Sequence, residues 1–348
     1  LLSPFMGLVM NCLNMSIYWI GAVLISSVAA SGAAGIAARV DIFADMIVFM
    51  SYAMQVIMSF IMIVMVIIIM PRALEAAKRI SEVLATQPKV VSGTVTDSGE
   101  VSGTVEFKNV SFTYPGGSGN VLSNVSFKAD KGETVAFIGS TGSGKTTLMN
   151  LIPRFYDASE GEVLVDGVNV KDYDLESLYA KIGYVSQKAV MFTGTIEDNV
   201  AFGRNADKGM LGEALEISHS ADFVSELEDK EKAHMARGGT NFSGGQKQRL
   251  SIARALCRDA EILIFDDTFS ALDFKTDREL RDALKSRTAG QTKLIVAQRI
   301  GTIMSADRIV VLDEGHVVGM GTHRELLKTC EVYRQIALSQ LSEEELAI

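Results

Sequence analysis

The run Gly139-Ser140-Thr141-Gly142-Ser143-Gly144-Lys145-Thr146-Thr147 carries the strongest chemical signal in the chain. It follows a short apolar stretch, Thr134-Val135-Ala136-Phe137-Ile138, and precedes another, Leu148-Met149-Asn150-Leu151. Strand, glycine-rich loop, helix is the setting that a phosphate-binding P-loop requires. Glycines let consecutive backbone N–H groups close around phosphate oxygens, and the helix N-terminus adds positive potential. Lys145 is expected to reach the β- and γ-phosphates of a nucleoside triphosphate, and Thr146 to hold Mg²⁺ through its hydroxyl.

Such an ion also needs a carboxylate. Glu261-Ile262-Leu263-Ile264-Phe265-Asp266-Asp267 supplies an apolar strand ending in two acids. Acids at the end of a buried parallel strand sit where α/β sheets bind ligands. Asp266 is therefore expected to hold Mg²⁺, directly or through water. Further on, Asn241-Phe242-Ser243-Gly244-Gly245-Gln246 runs into an apolar-periodic helix. Ser-Gly-Gly at a helix N-terminus is either a capped helix with a glycine turn or a second anion nest. One P-loop already serves one triphosphate, so a second nest needs its own reason.

In this order and spacing, these motifs resemble the nucleotide-binding domain of ATP-binding cassette (ABC) transporters. The signature Ser243-Gly244-Gly245-Gln246 sets that family apart from other P-loop ATPases. Tyr114, in Ser111-Phe112-Thr113-Tyr114-Pro115, matches the aromatic that stacks on adenine. Gln187, in Tyr184-Val185-Ser186-Gln187, matches the Q-loop glutamine that meets Mg²⁺ and the membrane domain. Ser270-Ala271-Leu272-Asp273 matches the D-loop. The resemblance covers residues 103–340. It implies an α/β P-loop NTPase with a RecA-like core, a helical signature subdomain near 190–255 and an antiparallel β-subdomain. It also implies ATP and Mg²⁺ as cofactors, the metal held by Thr146, Gln187 and Asp266. Two such domains would close head-to-tail, each ATP lying between one P-loop and the other chain's signature, which gives the second nest its reason.

The departures from the family pattern bear on catalysis. A competent site has Glu after the Mg²⁺ aspartate, where this chain has Asp267. It has a switch His in a Val-Ala-His-Arg-like run, where this chain reads Val296-Ala297-Gln298-Arg299. A carboxylate misplaced by about 1 Å costs roughly 10²-fold in rate. Gln298 can hydrogen-bond a γ-phosphate but cannot act as an imidazole does. Drift at a site that still turns over is the alternative. With an intact signature, the resemblance implies a heterodimer, in which this chain's own site is degenerate and its signature completes the site of a non-identical partner. Upstream of the signature, Met235-Ala236-Arg237-Gly238 stands where exporters often carry Gly-Glu-Arg-Gly.

The rest of the chain must position this machinery. Averages of 48% hydrophobic and 22% charged residues suggest one soluble globule. The distribution excludes it, because residues 1–70 hold only Arg39, Asp41 and Asp45 as charged side chains. Two apolar stretches, about 4–30 and 44–70, the second uncharged from Met46 to Pro71, are long enough to cross a bilayer as helices. Ser31–Gly35 and the weakly charged residues after it read as the connection between them. Arg72, Lys78 and Arg79 place the end of the second span on the cytoplasmic side. Residues 1–85 resemble the last two membrane helices of a type-IV exporter half, whose earlier helices fall outside this sequence. A multi-pass protein of the cell membrane with a cytoplasmic ATPase is expected, moving amphipathic small molecules outward. A lipid or peptide exporter, or an ATP-binding regulatory subunit, stays open.

Residues 86–102, with Pro88, Gly93 and Gly99, read as a linker to a domain spanning 103–348. Met46, Met50, Met54, Met58 and Met62 form an i, i+4 stripe that reads as ordinary packing or as a lining for apolar cargo. The net charge of −9 argues against nucleic acid as a partner. The cysteines Cys12, Cys257 and Cys330 show no metal-ligand spacing. No basic n-region or cleavage site marks the start as a signal peptide.

Overall fold

The computed structural model describes residues 2–29, 32–203 and 207–342. It divides into two compact units, Leu1–Lys89 and Val90–Ile348.

The first unit consists of helices α1 (Leu2–Ser27) and α2 (Ala33–Ala85). Both are long and apolar enough to cross a membrane. Their apolar side chains face outward, with Trp19 75% and Met62 71% exposed. Water would not tolerate so continuous an apolar surface, whereas a bilayer does. The expected connection is shorter than its composition suggested, since α2 is already helical from Ala33. Alanine favours helix, and Arg39 supplies a second cause. Its Nε and Nη2 donate to Val28 O at 3.1 and 2.6 Å, satisfying a carbonyl at the end of α1. Ala30 and Ser31 lie outside the described residues. The helix then continues through Pro71 for 53 residues in all. At about 1.5 Å per residue it is far longer than a hydrocarbon core of about 30 Å.

The methionine stripe does not form one face. Met46, Met50 and Met54 are half-buried, while Met58 and Met62 are exposed. Each four-residue step drifts about 40° around a helix of 3.6 residues per turn. Met46 packs against Gly21 of α1, where a Cβ would collide with the Met46 sulfur. The first part of the stripe is therefore helix packing.

The second unit opens on β1 (Val105–Phe112) and β2 (Leu122–Ala129), followed by β3 (Thr134–Gly139) and α3 (Lys145–Leu151). Next come β4 (Glu160–Val165), β5 (Val168–Asn169), α4 (Leu175–Ala180) and β6 (Ile182–Val185). The chain continues through β7 (Gly194–Thr195), α5 (Ile196–Val200), α6 (Lys208–Ile217), α7 (Ala221–Ser225), β8 (His234–Met235) and α8 (Gly244–Leu256). After that lie β9 (Ile262–Asp266), α9 (Phe274–Arg287), β10 (Thr292–Val296) and α10 (Ile300–Ile303). The last described elements are β11 (Arg308–Asp313), β12 (His316–Gly321), α11 (His323–Thr329) and α12 (Glu331–Gln340).

Strands β2-β1-β4-β5 form an antiparallel sheet. A six-stranded sheet runs β12-β11-β3-β10-β9-β6, parallel except at β12. Its interior strands β9 and β10 are buried at every position. Both faces are covered, so their apolar residues, Ile262–Phe265 and Leu294–Val296, run consecutively with no alternation. Helices α5 to α8 and the two-stranded antiparallel β7–β8 sheet enclose a separate apolar cluster that includes Ile196, Leu211, Met235 and Leu250.

The stretch 86–102 is not a slack linker throughout. Gly93 N donates to Tyr173 O at 2.8 Å, and Val95 bridges Tyr173. Ser92 Oγ donates to Asp174 at 2.9 Å and accepts from Leu175 N at 2.8 Å, adding to the cap of α4. A Cβ on Gly93 would collide with Asp172 and Tyr173 backbone atoms. Glycine there signals close backbone approach, which composition alone cannot distinguish from a flexible joint.

Candidate functional site

Strand β3 ends at Gly139 and α3 begins at Lys145, with the glycine-rich turn between them. Gly144 caps the helix at φ 95°, and a Cβ there would come within 2.7 Å of Leu122 Cδ2. Gly144→Ala is therefore expected to destabilise the domain by about 1–3 kcal/mol, combining left-handed strain with a clash. An unchanged melting temperature would contradict this.

Lys145 is 9% exposed, and its Nζ donates to Gly139 O at 2.9 Å, Ser140 O at 2.7 Å and Ser143 Oγ at 3.1 Å. Burial pulls its pKa below the ordinary lysine value, while Asp267 and Asp266 pull the other way. Beside it opens a cleft of about 330 Å³, whose lining includes Thr141, Gly142, Lys145, Thr146, Gln187, Asp267 and Gln298.

Asp266 closes β9 at 2% exposure. Thr146 Oγ1 donates to its Oδ1 at 3.0 Å. Burial raises the Asp266 pKa, opposed first by the Thr146 hydrogen bond. A hydroxyl and a buried carboxylate at this spacing are the hard oxygen donors that Mg²⁺ takes, and a cation would restore the charge that burial disfavours. The donor set thus fits the ion. Among the described residues no cluster of three or more His, Cys, Asp or Glu offers a competing metal site.

Sequence reasoning missed two residues here. Tyr184 OH reaches Asn150 Oδ1 at 3.0 Å and Asp266 Oδ2 at 3.4 Å. Burial pushes the phenol's pKa well above its usual range, so it stays a donor. The only signal in the sequence is the position of Tyr184 just before Gln187.

Asp267 lies at φ 47°, in the left-handed region. Its Oδ2 accepts from Gln187 Nε2 at 3.1 Å and from Gln298 Nε2 at 2.6 Å. Burial raises its pKa, and the bond from Gln187 leads the opposing effects. Two carboxamides thus hold one oxygen of this short carboxylate. Gln187 turns its amide nitrogen to Asp267, which leaves its carboxamide oxygen for a metal.

Tyr114 is half-buried, and its hydroxyl lies 2.9 Å from Thr147 Oγ1. Its ring stands edge-on to Phe112 and Tyr156, with centroids 4.8 and 5.2 Å away. The signature residues sit elsewhere. Ser243 caps α8 in a reciprocal capping box with Gln246, and Ser243 and Gly244 are exposed. Asp273 caps α9 and accepts from Thr276 N at 3.0 Å. None of Ser243, Gly244, Gly245, Gln246 or Asp273 lines the P-loop cleft. Gly245 instead lies against Ala271 O, so the signature helix and the 270–273 turn share a surface.

A glycine-rich loop at the carboxyl end of β3, with two acids at the end of β9, defines a P-loop nucleoside-triphosphatase fold. Residues 122–270 match the family model described as ABC transporter, and the chain carries an α/β ABC ATPase domain behind its N-terminal helices. An uncharacterised ABC transporter ATP-binding protein of Mycobacterium tuberculosis is 39% identical over 98% of this chain and 57% of its own length. An ATP-dependent lipid A-core flippase of Xanthomonas euvesicatoria is 38% identical over 94% of this chain and 56% of its own length. A bacterial Atm1-family ABC exporter with ATP bound, 29% identical, aligns with a TM-score of 0.75 over 94% of this chain and 58% of its own. The chain spans little more than half the length of these relatives.

Proposed function

We propose that this chain is one half of a heterodimeric ABC exporter that couples ATP binding and hydrolysis to outward transport of amphipathic compounds. Its own P-loop face forms a slow, degenerate ATP site. Its signature completes the competent site of a non-identical partner. The observation that carries this reading is the Asp267 carboxylate, one methylene short and held at Oδ2 by Gln187 and Gln298. An oxygen tied to two donors is poorly placed to orient or deprotonate an attacking water. The exposed and intact Ser243-Gly244 cap supports a role toward another chain's nucleotide.

The ATP phosphates would lie along Gly139–Thr147, with Lys145 exchanging its loop carbonyls for phosphate oxygens. Tyr114 would stack on the base after leaving Thr147. Mg²⁺ would be held by Thr146, Asp266 and the Gln187 oxygen, and would neutralise developing phosphate charge. The two apolar helices would be the end of a multi-pass membrane domain in the cell membrane. A lipid cargo is the second reading, favoured by the relatives named lipid A-core flippases.

Steady-state ATPase of the purified pair tests the assignment. Ser243→Ala or Gly244→Asp is expected to lower turnover about 10²-fold while leaving ATP occupancy at this chain's own P-loop unchanged. An isolated chain that hydrolyses ATP as fast as the pair would sink the heterodimer.

A further inference from the structure

Gln298 is gripped from its backbone as well as its side chain. Gln340, the last residue of α12, reaches the same loop from the far end of the chain. Its Oε1 accepts from Ile300 N at 2.9 Å, and its Nε2 donates to Gln298 O at 2.8 Å. Both ends of one carboxamide therefore hold the backbone on either side of Arg299. Arg299 itself donates to Ser270 O at 3.3 Å, and its guanidinium lies 5.1 Å from the Phe274 ring centroid. The loop 298–300 is thus tied to Asp267, to the turn before α9 and to α12.

Packing does not explain Gln340. Its side chain is exposed, and α12 is anchored by Tyr333 and Ala337, both fully buried. What the residue contributes is a two-point contact whose donor and acceptor match the loop. An Asn is a methylene too short to span both groups, and a Glu has no donor for Gln298 O.

We propose that Gln340 is a positioning residue for the nucleotide site: by bridging Gln298 O and Ile300 N, it sets the loop from which Gln298 reaches Asp267 and, with ATP bound, the γ-phosphate. The inference rests on the nucleotide-site reading above. It makes the end of α12 part of the switch, although Gln340 touches neither phosphate nor metal.

The test uses the full chain in its natural pair, with the partner's P-loop disabled, and follows release of a fluorescent ATP analogue from this chain's site. Q340A is expected to speed release about tenfold, the combined net worth of two hydrogen bonds. Q340E, which keeps the acceptor for Ile300 N but sets a carboxylate against Gln298 O, is expected to do at least as much. In a Q298A background, Q340A is expected to add nothing, because its effect runs through Gln298. Equal acceleration in both backgrounds marks a structural prop and overturns the proposal, as does no acceleration in either. Lys145→Ala serves as the control. If it retains the analogue, the nucleotide-site reading fails. If it loses the analogue while Q340A releases normally, only the Gln340 proposal fails.

Discussion

Lys145→Ala is expected to lower ATP affinity at this chain's own cleft by about 10²-fold or more. Charge-assisted hydrogen bonds to phosphate contribute about 1.5–3 kcal/mol each, and the lysine offers more than one. The side chain is already placed for the task. Its ammonium is held at 2.7–3.1 Å by two carbonyls and a hydroxyl of the same loop, at the mouth of the cleft. Phosphate oxygens would replace those acceptors with little rearrangement of the chain, and backbone N–H groups would supply the remaining contacts. Equilibrium binding of ATP to the proposed pair, with the other chain's site disabled, measures the loss. An affinity within about threefold of the parent would remove the P-loop from the mechanism. Melting of the variant is followed in parallel, because the same change takes a donor from Gly139 O, Ser140 O and Ser143 Oγ.

The second large effect runs the other way. Asp267→Glu combined with Gln298→His is expected to raise hydrolysis at this chain's own site by roughly 10²-fold. The longer side chain carries the carboxylate about one methylene further toward the γ-phosphate. Removing the Gln298 amide frees Oδ2 from the shorter of its two bonds, 2.6 Å against 3.1 Å. A carboxylate released from that hold can orient water, and an imidazole can both donate and accept a proton near neutral pH. Single-turnover hydrolysis, with the catalytic carboxylate of the proposed partner neutralised, isolates this site from the one assigned to that partner. If the rate stays at the parental level, the degenerate-site reading proposed above falls. The two single changes are informative beside the pair. They share one carboxylate oxygen, so their effects should not add.

Local patterns were legible without coordinates. The P-loop, the acid pair after β9 and the Ser243 cap each depend on neighbours within a few residues, and glycine conformation and helix capping are read at that range. The apolar spans were legible for the same reason, since a bilayer imposes composition on each helix separately. Boundaries were less so. Ala33–Arg39 reads as loop because it carries charge and small residues, but Arg39 reaches back eleven residues to close the end of α1. Ser92–Val95 reads as linker because a glycine needed for close approach looks like one needed for flexibility.

Residue types and short-range spacing therefore marked the glycine-rich loop and the acid pair that the nucleotide reading rests on, and set two long apolar helices apart from a charged α/β domain. The tertiary structure decided which groups share an atom. Gln187 and Gln298 lie far apart in sequence, yet they converge on one Asp267 oxygen because β6 and β10 both border β9. Gln340 meets the same loop because α12 ends beside α10. Such convergence depends on strand order and helix packing, which are set by the core as a whole and leave no mark in the local run of residues.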